Sequence, residues 1–142
     1  MLDCTQTITV WNRYKTPINK QEPEQFFCQR VHNCKYTTNI TRTASGAGVN
    51  SSVVIVNSQL VIIPQNELYK SPAEWLLLDA SERELYFTLQ PSDFVALGEH
   101  YIDISGNETL LRSKLGSKVF SIRAIQDNTQ RPQGGHFKVE GV

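Results

Sequence analysis

The sequence predicts a mainly β fold, a small β-barrel or sandwich with one or two short helical insertions and long loops. Three observations carry that expectation. Apolar and β-branched residues alternate with polar ones over several short segments, the period of a strand with one buried face. Clusters of Gly, Pro, Asn, Asp and Ser separate those segments. The chain has no internal repeat or low-complexity tract, and its 142 residues suffice for a single domain, 1–142, with a working core.

Thr7 to Asn12 reads as a strand by side-chain shape, with Ile8 and Val10 on one face and Thr9 and Trp11 on the other. Pro17, Pro23 and their polar neighbours make residues 13–24 a loop or arm. A second strand runs from Phe26 to Thr38, and Ala44 to Gly48 is a small-residue turn. Val53 to Val56 and Leu60 to Ile63 form two strands of a hairpin or one bulged strand. Their continuous apolarity predicts burial on both faces until Pro64 ends the run. Residues 65–84 read as an insertion. Within it Ser71-Pro72-Ala73-Glu74 has capping-box spacing with Pro at the first helical position, predicting a short helix from Pro72 to Leu78 docked through Trp75, Leu76 and Leu78.

Leu85 to Leu89 is then a strand with Leu85, Phe87 and Leu89 on one face. Pro91-Ser92-Asp93 turns the chain into a shorter strand, Phe94 to Leu97, closed by Gly98, and Tyr101 to Ile104 is another brief strand. Ser105 to Glu108 repeats the capping-box spacing, so a short helix follows over Glu108 to Leu115 and ends at Gly116. Residues 118–142 make the closing hairpin. Phe120, Ile122 and Ala124 alternate with Ser121 and Arg123, and past a Pro/Gly-bearing loop Phe137 and Val139 alternate with His136, Lys138 and Glu140.

Fourteen Lys and Arg balance 14 Asp and Glu, which argues against an affinity built on neutralising many phosphates. No run of about 18 apolar residues predicts a membrane-spanning helix, and the N-terminus lacks the pattern of a signal peptide. Three cysteines make no disulfide framework and fit a reducing cytosol. Cys28, His32 and Cys34 fall on even positions and share a face in an unbroken strand, where Cys4 would complete a zinc set. The tight Cys-x₂-Cys knuckle is missing, so core packing is expected and no metal.

His32, His100 and His136 lie in unrelated segments and no Ser occupies a Gly-x-Ser-x-Gly elbow, so neither an enzyme nor a cofactor is expected. His136 reads as an outward hydrogen-bonding residue. Gly46-Ala47-Gly48 is followed by β-branched residues rather than a helix, which makes it a turn and not a phosphate loop. Arg13, Lys15, Lys20, Arg30, Lys35 and Arg42 interleave with Tyr14, Phe26, Phe27 and Tyr36, a pattern that also suits stacking on single-stranded nucleic acid. A nucleic-acid-binding β-barrel is therefore the alternative.

Four stretches carry a family resemblance: Ile8 to Arg13, Leu60 to Pro64, Thr88 to Gly98, and Asp127-Asn128 with His136 to Gly141. In that order they resemble the minor capsid proteins encoded among the head and neck genes of tailed bacteriophages and prophages, and more distantly the head-tail joining or stopper proteins. The structural motif rests on Leu89, Asp93, Gly98, Asp127, Asn128, His136, Phe137 and Gly141. Ser92 stands where Gly is usual before Asp93, and Phe137 where Trp is usual.

The resemblance implies a virion structural protein of the head-tail neck, made in the bacterial host cytoplasm. It implies a homo-oligomeric ring, typically of six subunits, joining the portal-side connector to the tail and helping retain packaged DNA. The DNA would pass through the channel without sequence-specific binding, and no membrane would be involved. Subunit contacts are expected at Arg13, Tyr14, Lys15 and Pro17 in the arm and at Thr129, Gln130, Arg131 and Pro132 in the hairpin loop. A capsid-decoration or tail-completion protein is the neighbouring alternative.

Overall fold

A computed structural model describes residues 4–14, 25–45, 52–104, 109–130 and 134–142, with the backbone alone over 39–45, 52–57 and at 117. These residues form a closed six-stranded antiparallel barrel in the order β1-β2-β3-β6-β5-β4. The strands are β1 (Gln6–Tyr14), β2 (Gln25–Ser45), β3 (Ser52–Pro64), β4 (Phe94–Leu97), β5 (Val119–Asp127) and β6 (His136–Gly141). Three short helices accompany them: α1 (Pro72–Leu77), α2 (Ala80–Arg83) and α3 (Thr109–Leu115).

The barrel interior is packed with Ile8 and Val10 of β1, Val31 and Cys34 of β2, Val61 and Ile63 of β3, and Phe137 and Val139 of β6. Phe120 and Ile122 of β5 join them, as do Phe87 and Leu89 from the segment before β4. A second apolar layer lies on the outer face of β1 and β4. Trp11, Phe94 and Ala96 meet Ile104, Leu111 and Val119 there, so α3 covers a sheet face that alternation alone would leave to water. Trp11 is fully buried in this layer and its indole Nε1 donates to the Ile102 carbonyl at 2.9 Å.

Two bulges break the period of two. Between β1 and β2 the register shifts from Gln6↔Cys34 to Ile8↔Val31, placing one extra residue on β2, and Asn33 adopts φ +61. An added residue reverses which face the following side chains take. Cys34 therefore joins Val31 in the barrel interior, whereas Cys28 packs against the outer layer and His32 is exposed. The even-numbered Cys28, His32 and Cys34 do not share a face. Between β5 and β6 the register shifts between Ile122 and Ala124, so Ala124 is exposed and Ile125 packs on the core instead.

Other expectations are corrected by what each segment pairs with. Arg13 and Tyr14 are the last residues of β1, paired with Phe26 and Gln25, rather than the start of an arm. Residues 15–24, with Lys15 and Pro17, lie outside the described residues. Ala44 and Ser45 are still strand, paired with Val53 and Ser52. β3 is one strand without a register shift against β2, and Val61 and Ile63 are buried while Leu60 and Ile62 are only half-buried. Leu85 to Leu89 is not a strand: Phe87 makes one parallel bridge to Tyr69, and Leu85 is 62% exposed. Tyr101 to Ile104 has no ladder, although Ile102 and Ile104 do pack together in the outer layer.

The helices follow their caps. Ser71 Oγ accepts from the Glu74 amide at 3.4 Å with Pro72 in the first turn, and Trp75 alone of α1 is buried. Leu76 is 41% exposed and does not dock the helix. The unforeseen α2 begins at Asp79, whose Oδ1 accepts from the Glu82 amide at 2.9 Å, the same cap-to-third-residue spacing. The predicted cap at Ser105 to Glu108 lies outside the described residues, but α3 does end at Gly116, with φ +57.

At Gly141, β5 and β6 approach so closely that a Cβ would run into the Ser121 carbonyl oxygen and the Phe120 ring. Gly116 also has positive φ, yet a Cβ there meets nothing within 4 Å. Gly141→Ala is therefore expected to lose about 3 kcal/mol by chemical denaturation, as backbone cannot yield like a flexible side chain. Gly116→Ala should lose about 1 kcal/mol.

Candidate functional site

A buried polar network lies where β1 meets the segment leading into β4. Asn12 of β1 is 1% exposed, and its carboxamide bonds residue 88 on both sides: Nδ2 donates to the Thr88 carbonyl at 2.6 Å and Oδ1 accepts from the Thr88 amide at 3.0 Å. The same Nδ2 donates to Asp93 Oδ2 at 2.9 Å. Asp93 Oδ1 accepts from the Arg13 amide at 3.0 Å, and Gln90 Nε2 donates to Asp93 Oδ2 at 3.1 Å and to the Arg13 carbonyl at 3.2 Å. One side chain from the end of β1 thus fixes the segment that leads into β4. The backbone continues the tie, with Ser92 N to Ile122 O and Ile122 N to Asp93 O both at 2.8 Å.

Burial pushes the Asp93 carboxyl up to about 6, and the Asn12, Arg13 and Gln90 donors oppose it. Beside it lies a hollow of about 320 Å³ lined by Arg13, Leu76, Gln90, Pro91, Ser92 and Asp93. Perturbed carboxyls in hollows are candidate acids or bases. Here the two carboxyl oxygens together accept from three donors and Asp93 is 1% exposed, so the group ties the end of β1 to the entry of β4. Ser92 adopts φ +76, a backbone region that glycine enters at lower cost.

A second constellation pins the insertion to the barrel. The Arg83 guanidinium of α2 lies 3.7 Å from the centroid of Tyr14 and 5.5 Å from that of Phe27. Trp75 of α1 meets both rings edge-on, at 6.3 Å and 5.7 Å. Arg83 is only 8% exposed, so its charge is held against aromatic faces. Tyr14 is accordingly engaged within its own chain. The other aromatics of the basic first third are engaged too, Phe26 with Phe94 and Tyr36 with Phe120.

The hairpin residues form a third group, remote in contacts from the Asp93 network. Asp127 Oδ1 accepts from the Thr129 amide at 2.9 Å and hydroxyl at 2.6 Å, which holds its carboxyl below the usual range. Asn128 donates its amide to the His136 carbonyl at 2.9 Å. His136 is 9% exposed and turned inward rather than outward: Nδ1 lies 2.8 Å from the Gly134 carbonyl and Nε2 3.3 Å from Asn128 Nδ2. Both contacts suit the tautomer with its hydrogen on Nδ1. Phe137 packs on Tyr69 at 4.3 Å between centroids, and Tyr69 on Phe87 at 5.7 Å. Gln130 is exposed, while Arg131 and Pro132 lie outside the described residues.

Among the described residues no three His, Cys, Asp or Glu side chains form a metal-holding group, although Cys4 lies near enough to Cys34 to act on its thiol and Cys28 Sγ lies 3.6 Å from the His100 carbonyl. His100 stacks on Trp11 at 6.2 Å, and His32 lies 3.0 Å from Thr7 Oγ1. Burial raises the Cys28 thiol and pushes Cys34 to about 12, which opposes the thiolate a zinc ligand needs.

The sequence singled out Asp93 but not Asn12, which bonds it across a separation of 81 residues, nor Gln90, which bonds it from only three residues away. Arg83 was also missed, although an arginine in a short helix after a docked tryptophan was a usable signal.

The folded Asp93 carboxyl keeps its proton to higher pH than the ordinary 3.8. Its contribution to stability is therefore complete below that value and is lost as pH rises through about 6. Relative to Asp93→Asn, the native chain should lose up to about 3 kcal/mol between about pH 4 and about pH 7. Denaturant unfolding at each pH checks this, and a pH-independent difference contradicts it.

No curated protein and no solved structure matches the chain. The model of a family described as "Family of unknown function (DUF6751)" matches residues 4–142, and the chain belongs to that family.

Proposed function

We propose that this protein is a structural subunit of the head-tail interface of a tailed bacteriophage, a stopper or neck-ring component that joins the portal-side connector to the tail and helps retain packaged DNA. The observation that carries the reading is the long β2-β3 hairpin. β1 pairs with β2 only as far as Cys34, and β6 pairs with β3 only from Gln59 onward. From Asn39↔Ser58 to Ser45↔Ser52 the two strands pair with each other alone among the described residues, as a ribbon running on past the barrel. A two-stranded ribbon is marginal by itself, and its open edges are ready for a neighbour's chain. Such a shape suits a barrel that works by packing beside others.

The ordered likeness of β1, the end of β3, the Thr88–Gly98 segment and the β5-β6 hairpin to phage minor capsid and neck proteins supports the same reading. A ring, six subunits in this proposal, closes by rotation through unlike surfaces on successive copies. The balanced total of 14 basic and 14 acidic residues suits a channel through which DNA passes without being gripped.

The test is cryo-electron microscopy of the virion whose genes encode this chain. Barrel density in a ring between portal and tail is expected. Density over the capsid surface would replace the neck with a decoration role, and absence from the particle would end the proposal.

A further inference from the structure

The chain's balanced total charge hides two surfaces of opposite sign. Residues 65–85 carry Glu67, Glu74, Asp79, Glu82 and Glu84, every one of them exposed. The cations of that stretch are held on aromatic rings: Arg83 is buried against Tyr14, and Lys70 is half-buried with its ammonium 4.9 Å from the Tyr86 ring. Four of the six exposed large apolar side chains among the described residues stand there too: Leu68 at 40%, Leu76 at 41%, Leu77 at 87% and Leu85 at 62%. Leucines left in water among carboxylates have the composition of a contact surface, since a merely solvated face gains nothing from them.

The opposite charge lies on α3 and the first part of β5. From Thr109 to Gln126 the sequence contains no Asp or Glu, and Arg112, Lys114, Lys118 and Arg123 are all exposed. Arg112 Nη2 donates to the Val142 carbonyl at 2.8 Å, and Val142 exchanges backbone hydrogen bonds of 3.3 Å with Ser121, two residues before Arg123. The α3 and β5 cations thus belong to one neighbourhood, and Val142, 47% exposed, adds an apolar side chain to it. No member of the acidic or the basic set takes part in an ion pair between described residues; those pairs join His32 to Glu99 and Lys138 to Glu140. Each surface therefore keeps its own charge toward solvent.

We propose that the α1-α2 insertion of one copy docks on the α3-β5 surface of the next, head to tail. Its carboxylates meet Lys114, Lys118 and Arg123, and its leucines leave water at the contact. This inference rests on the ring reading above and names the contact that would build it. Leucine burial supplies affinity there, while the opposed charges set orientation and exclude like-to-like pairing. A contact between unlike surfaces leaves one of each open at the ends of any unclosed assembly, so copies add until rotation closes a ring.

The test is sedimentation of the full-length chain and three charge-reversed variants, with thermal melts showing that all of them fold. One variant carries Glu67→Lys, Glu82→Lys and Glu84→Lys, a second carries Lys114→Glu, Lys118→Glu and Arg123→Glu, and the third combines all six. The native chain should self-associate, more weakly as salt is raised, and each three-fold variant should associate about ten-fold more weakly or worse. The six-fold variant should regain association, because both partners of the contact have changed sign together. Mixed with native chain, it should not co-assemble. Native association that neither three-fold variant weakens, or that the six-fold variant fails to regain, overturns the insertion-α3 contact and leaves the neck-ring reading standing. A native chain that stays monomeric at every concentration overturns the self-docking itself, while virion imaging independently decides the neck location.

Discussion

Closure of the barrel depends on a short strand that has little ladder of its own. β4 contributes only Phe94 to Leu97, yet it is the element that joins β1 to β5. A strand of that length is held by what fixes its entry. Asn12 grips both backbone groups of Thr88 and the Asp93 carboxyl, while Gln90 spans Asp93 and Arg13. At the other end, Gly98 N donates to the Thr7 carbonyl at 2.8 Å and Thr9 Oγ1 donates to the Gly98 carbonyl at 2.7 Å. Buried polar groups are costly when unpartnered and specific when partnered. The network at the seam therefore favours one register for β4, and the apolar fill of the interior follows from that register.

The sequence shows segments with one buried face more clearly than it shows what they pair with. The strands around Ile8 and Val10 and around Phe137 and Val139 were legible because alternation, turn residues and a ladder coincide there, and Phe94 to Leu97 because turn residues bound a short apolar run. Leu85 to Leu89 and Tyr101 to Ile104 alternate as well, but an apolar side pressed on a sheet suffices for that pattern and no hydrogen-bonded partner is required. Parity fails wherever a bulge adds a residue. Asn33 separates Cys28 from Cys34, and the irregularity near Arg123 brings Ile125 inward in place of Ala124. Neither bulge has a glycine to announce it.

Within the candidate site, the sequence marked single positions rather than the contacts between them. Asp93, Gly98, His136 and Gly141 were marked by resemblance, and each has a distinct structural duty: seam acceptor, positive-φ turn, hairpin clasp and close strand approach. Arg13 and Tyr14 were expected to face a neighbour; within the chain the Arg13 amide donates to Asp93 and Tyr14 receives the Arg83 cation. The ribbon was hidden because its segments look like ordinary strands. Only the lengths of β1 and β6 reveal that β2 and β3 run on without them.

The molecule therefore divides into a barrel whose ladder closes within one chain and a ribbon that, in the proposed ring, a neighbouring copy would complete. Amide hydrogen exchange, compared between dilute and concentrated protein, tests that division most directly. Val10, Val95 and Ala96 at the seam should be strongly protected at both concentrations, while ribbon amides in 39–45 and 52–58 should exchange fast when dilute and slow on concentration. Ribbon protection unchanged between the two conditions, or a seam that exchanges as fast as the ribbon, would contradict it.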